Sequence, residues 1–221
     1  MIFAIIIEAW NATVHEEITM IKAIIFDYGN VISSVDNDLF LDRLSRFTDK
    51  CPSEMHNLFS HESDLPERYE TGLITSDEFF AGAVQLCSLK ITKKEFRKLL
   101  THRFTPIQTT HDLIRKLKHH YTLGLLSNTN EWDFEVEIQG SEVFSLFDTV
   151  TVSFKTKAMK PARKIYIDAL SKLNREPHEC VYIDDIREYA DAASEIGINS
   201  IHYTSHDSMA QSLRSLNCYP E

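Results

Sequence analysis

Cysteine is scarce in this 221-residue chain and nowhere paired: Cys51, Cys87, Cys180 and Cys218 are dispersed and form no CxxC. That spacing argues against a zinc site and a disulfide framework, and suits reduced thiols in a cytoplasm. Positive charge is also in deficit, with 23 lysines and arginines against 33 acidic residues and a formal net charge of -10. Such a balance repels phosphate backbones and anionic lipid, so neither nucleic acid nor a membrane is expected as a partner. The sequence shows no repeat and no low-complexity linker. The opening MIFAIIIEAW holds one apolar run too short to span a bilayer, without a basic leader or a small-residue cleavage site. A soluble, cytoplasmic protein is expected.

The first recognisable core strand starts at Ile21, directly behind Met20. Residues 1–19 therefore read in two ways. HEEITM is what a purine-rich ribosome-binding stretch and a start codon give when translated, which makes 1–19 a non-native extension. The other reading is a real strand or packing segment.

What is present is enough apolar residue, 43% of the chain, for a substantial core. KAIIFD (22–27) is a short, almost wholly apolar strand, the pattern of a sheet covered on both faces. A turn with Gly29 and Asn30 follows. The chain then takes helical periodicity, with Leu39, Leu44 and Phe47 on one face. Further helix starts are expected at Ser53 behind Pro52, at the capping box Thr75 to Glu78, and at Thr92 to Glu95. From about Thr105 helices alternate with the strands YTLGLLSN, DTVTVSF, CVYID and NSIHY. The expected fold is α/β, Rossmann-like: a core of residues 20–33 and 105–221 with a parallel sheet flanked by helices, and an all-helical domain, residues 34–104, inserted after the first strand.

Open sheets of this kind bind ligands beyond the carboxyl ends of their strands. Three strands end in polar groups there: Asp27 after AIIF, Ser127 after LGLL, and Asp184-Asp185 after VYI. Lys160, in AMKPARKIY, adds a cation before Pro161, where a new helix is expected. Each alone reads equally as a cap or a solvated polar residue. Together they suit phosphoryl transfer through an aspartyl-phosphate. A carboxylate nucleophile splits a difficult hydrolysis into two easier steps. Oxygen ligands on a small divalent cation offset the repulsion between two anions, while a hydroxyl and a lysine stabilise the phosphate oxygens.

FDYGN, LLSNTNEW, AMKPARKIY and VYIDDIREYADAA resemble, in order, the four signature motifs of haloacid dehalogenase (HAD) superfamily hydrolases, from about Met20 to the end of the chain. The resemblance implies a helical cap over the site, and YETGLITSDEF looks like a common stretch of such caps. It implies magnesium as cofactor and a small phosphorylated metabolite as substrate. By position, Asp27 would be nucleophile and metal ligand, with the Gly29 carbonyl and Asp185 on the metal and Asp184 acting through water. Ser127 and Lys160 would hold the phosphate. Asn128, Asn130 and Trp132 are candidates for the mouth of the site, their alternative being caps of the next helix.

Two positions depart from the family pattern. Lys157 stands where glycine is common, with Lys155 close by, so the loop would be more basic than usual. Gly29 stands where most family phosphatases carry an acid that protonates the leaving group. FDYGNVI looks most like the D-x-G-N branch of bacterial sugar-phosphate phosphatases, such as glucose-1-phosphatase. Asp36 is then either a substitute acid or an ordinary turn or cap residue. Two other functions stay open: a metal-independent 2-haloacid dehalogenase, against which Asp184-Asp185 argues, and a weakly catalytic protein that binds a phosphorylated ligand or a partner.

Overall fold

The computed structural model describes residues 20–220. The two readings of residues 1–19 fall outside the described residues.

Five parallel strands form the central sheet in the order β5-β4-β1-β6-β7: β1 Ala23–Phe26, β4 Thr122–Ser127, β5 Thr149–Val152, β6 Cys180–Asp184 and β7 Asn199–His202. β1 lies in the middle with all four residues buried, which is why its sequence is apolar without alternation. Ile24 and Phe26 face helices α6 (Gln108–Leu117) and α11 (His206–Ser215) through Ile114, Leu117, Met209 and Leu213. Ala23 and Ile25 face α9 (Arg163–Leu173) on the other side, against Ile165, Tyr166 and Ala169. α9, which follows the one-turn helix α8 (Ser153–Thr156), begins at Arg163, two residues later than Pro161. Its neighbour α10 is Arg187–Glu195.

Two three-residue strands, β2 (Ser33–Val35) and β3 (Phe104–Pro106), pair antiparallel with Val35 opposite Phe104. Between them lie five helices: α1 Asn37–Leu44, α2 Pro52–Ser60, α3 Leu65–Glu70, α4 Ser76–Cys87 and α5 Lys93–Thr101. Both connections to this helical block therefore run side by side as one ribbon. Neither strand is legible as a period-2 pattern, because three residues are too few to show one.

The capping boxes at Thr75–Glu78 and Thr92–Glu95 form. α2 starts differently from the sequence reading. Pro52 occupies its first turn and Cys51 is the N-cap, with Glu54 reaching back to the Cys51 amide, so Ser53 is already inside the helix. α1 buries Phe40, Leu41 and Leu44, whereas Leu39 and Phe47 are only half-buried. Asp36 is the N-cap of α1, accepting from the Leu39 amide at 2.8 Å.

The helical block has its own core, built on Phe40, Leu44, Met55, Tyr69, Phe79 and Phe96. One residue beyond the block joins it. Trp132, in the short helix α7 (Glu131–Asp133) behind β4, is buried against Tyr69 and Phe96. The large indole removes more apolar area from water in that cluster than it would at the rim of a cleft, so Trp132 ties the two parts of the molecule together and does not line the site mouth.

Candidate active site

Parallel pairing brings the carboxyl ends of β1, β4 and β6 to one edge of the sheet. The Asp27 amide continues the ladder, donating to the Ile183 carbonyl at 2.9 Å, which sets Asp27 beside Asp184. Carboxylate oxygens of Asp27, Asp184 and Asp185 lie within 4.8 Å of one another. Lys160 points into the group, its Nζ 2.8 Å from Asp27 and 2.7 Å from Asp184. Ser127, buried at the end of β4, lines the same cavity of about 270 Å³, together with Gly29, Asn128 and Asp185.

The two neighbouring aspartates differ. Asp184 is fully buried and both of its oxygens are taken: one by Lys160 and the Tyr182 hydroxyl, the other by the Ile186 amide at 2.8 Å. Asp185 is half-buried, lines the cavity, and accepts from the Asn30 side-chain Nδ2 at 3.0 Å. Asn30 takes the positive φ (53°) of the turn, leaving Gly29 in an ordinary backbone conformation.

Burial pushes the Asp27 carboxyl up, with the Lys160 ammonium opposing that shift and Asp184 adding to it. Burial likewise raises Asp185. For Lys160 burial works against the charge, but the Asp27 and Asp184 carboxylates outweigh it and its pKa rises. Three carboxylates thus cluster where there is one lysine, which pairs with two of them. The surplus negative charge and the all-oxygen donor set fit a hard divalent cation such as magnesium, with Asp27 and Asp185 facing the open cavity.

The other candidates are placed as follows. Asn128 lines the cavity, but its side-chain amide is engaged by the main chain of Lys160 on both sides. Asn130 caps α7, accepting from the Asp133 amide at 3.0 Å and donating to the Asp133 carboxylate at 2.7 Å. Lys157 adopts left-handed backbone (φ 54°), the conformation that favours glycine, and its ammonium binds the Gly72 carbonyl of the helical block. Lys155 lies over the Phe134 ring at 4.3 Å. Neither lysine lines the cavity. Asp36, occupied as a cap, does not line it either.

Three charged lining residues escaped the sequence reading. Arg103, just before β3, pairs with the buried Asp133 at 2.6 Å and lines the cavity with it. Glu70, the last residue of α3, lines it from the helical block. Glu70 belongs to YETGLITSDEF, the one stretch of the block with a recognisable pattern, and that was its only available signal.

The family model for haloacid dehalogenase-like hydrolases matches residues 66–203, well over half of the chain. The chain belongs to this family. This HAD-like hydrolase is 25% identical over 188 residues to a D-ribitol-5-phosphate phosphatase of Bacteroides thetaiotaomicron, covering 82% of this chain and 91% of the relative. A HAD family enzyme from the same organism, solved with magnesium and inorganic phosphate, superposes with a TM-score of 0.74 at 23% identity, over 82% of this chain and 93% of that one. A HAD-like family hydrolase from Porphyromonas gingivalis gives a TM-score of 0.76 at 22% identity, over 88% and 98% of the two chains. At these identities the structural likeness establishes the fold. Among the described residues of this HAD-like hydrolase, no helix is long and apolar enough to cross a membrane.

Proposed function

We propose that the protein is a magnesium-dependent phosphatase of a small phosphate monoester in the sugar-phosphate or polyol-phosphate class, working through an aspartyl-phosphate on Asp27. The observation that carries this reading is the meeting of Asp27, Asp184 and Asp185 within 4.8 Å around Lys160, at the floor of one cavity. The phosphatase relative supports the substrate class. The cytoplasm is the proposed location.

Magnesium, held by Asp27, Asp185 and the Gly29 carbonyl, would neutralise the phosphate and allow one anion to approach another. Asp27 is the nucleophile, its carboxylate oriented by Lys160 at 2.8 Å. Lys160 and the Ser127 hydroxyl hold the non-bridging oxygens as charge shifts between them. Asp184 keeps Lys160 charged and in place, and would act on the metal from outside its direct ligands. The helical block, residues 34–104, acts as a cap that excludes water and selects the leaving group.

Phosphate release from a panel of sugar, polyol and aryl phosphates, with and without chelator, tests the reading. Activity should vanish in chelator and return with magnesium. Full activity in chelator would overturn it.

A further inference from the structure

An alkyl phosphate leaves as an alkoxide unless a proton reaches its bridging oxygen, and general acid help of this kind contributes about 10²–10⁴ in rate. Gly29 offers no proton. A Cβ built there would meet only Val35 Cγ2, at 3.6 Å, so the space for an acid exists but is not used. Four carboxyl groups line the cavity. Asp27 and Asp185 belong to the cation cluster, and Asp133 is held by Arg103 and Asn130. The fourth is Glu70. Its carboxyl group has no hydrogen bond or ion pair among the described residues.

Its location matters more. A second cavity, of about 410 Å³, opens into the helical block between α1, α2 and α3. Asn37, Glu70, Arg103 and Met159 line both cavities and so form the junction between them. A phosphoryl group held over Asp27 with its organic portion in the second cavity has its bridging oxygen at that junction. The backbone of Glu70 is fixed there, since the buried Ser153 hydroxyl donates to its carbonyl at 2.6 Å.

On the phosphatase reading above, we infer that Glu70 is the proton donor to the departing oxygen and, in the second half of the reaction, the base that activates water. In the first step an Asp27 oxygen bonds to phosphorus, the bond from phosphorus to the alcohol oxygen breaks, and that oxygen takes the Glu70 proton. In the second the Glu70 carboxylate takes a proton from water as the water oxygen bonds to phosphorus. The phosphorus–Asp27 bond then breaks and returns the carboxylate. Burial raises the Glu70 carboxyl to about 7, with Arg103 and Lys160 opposing and Asp133 and Glu67 adding, so it can both hold and release a proton near neutrality.

The test is Glu70→Gln assayed on D-ribitol 5-phosphate and on 4-nitrophenyl phosphate, whose leaving group needs no proton. Turnover of the alkyl ester should fall by about 10²–10⁴, while the pre-steady-state burst of nitrophenolate keeps its wild-type rate. Adding Gly29→Asp to Glu70→Gln should restore alkyl turnover, a rescue that a purely structural role would not give. A thermal melt accompanies each variant, and Glu70→Asp, which keeps an acid there, should retain part of the alkyl activity if Glu70→Gln folds poorly. If the wild type releases phosphate but the ratio of alkyl turnover to nitrophenolate burst rate is unchanged in Glu70→Gln, Glu70 is not the acid and the phosphatase reading stands. If the wild type releases phosphate from no monoester, the phosphatase reading falls and this inference with it.

Discussion

Asn128 grips the main chain of Lys160 on both sides: its Oδ1 accepts from the Lys160 amide at 2.8 Å and its Nδ2 donates to the Lys160 carbonyl at 3.1 Å. The loop after β4 and the loop before α9 are thereby locked together 32 residues apart in sequence, and the lysine side chain is aimed from that lock into the carboxylates.

Asn128→Ala should cost about 1–3 kcal/mol of stability by leaving these main-chain groups unpaired. Turnover should fall on the order of 10²-fold through misplacement of Lys160. Urea melts and steady-state kinetics check both. A rise in KM alone, with unchanged stability and kcat, would return Asn128 to the role of a direct substrate ligand.

Asp27→Asn should abolish turnover by several orders of magnitude and leave the protein at least as stable as the wild type. Lys160 keeps its 2.7 Å partner Asp184, and a carboxyl that burial disfavours in its charged form is gone. Wild-type phosphate release from the purified variant would rule out the covalent route.

Lys160→Met should behave in the opposite way in the melt. It leaves Asp27 and Asp184 buried without their shared cation, a loss of about 3–5 kcal/mol. A denaturant midpoint equal to that of the wild type would show that the two carboxylates need no internal counter-charge.

His111 lies far from the chemistry, buried in α6 with no hydrogen-bond partner for either ring nitrogen. Burial, and then the Arg115 charge, hold its pKa below the ordinary 6.5. As pH falls through that ordinary value the unfolded chain takes up a proton that the folded protein refuses. Stability is therefore lost on acidification, by at most about 1.4 kcal/mol per pH unit from this group. His111→Leu should flatten the pH dependence of the unfolding free energy between pH 7 and 5; an unchanged slope would exclude His111 as its source.

The strand ends were legible in the sequence because each is a local contrast, an apolar run stopped by Asp27, by Ser127 or by the Asp184-Asp185 pair. A parallel sheet needs nothing further to bring such ends to one edge. The boxes at Thr75 and Thr92 were legible for a similar reason, since donor and acceptor stand three residues apart on one chain segment. Tertiary structure decided the rest. Trp132 follows LLSNTNE yet is buried in the core of the helical block, and Phe40 and Leu41 displace Leu39 and Phe47 from the buried face. Asn128 finds its partners 32 residues away. Glu70 and Arg103 stand on opposite sides of two helices in the sequence and meet at one junction, because the β2–β3 ribbon brings both ends of the helical block to the sheet edge. Local pattern fixes what a backbone segment does with its own neighbours. Which distant side chains share a cavity depends on how whole elements pack, and no short window of sequence carries that.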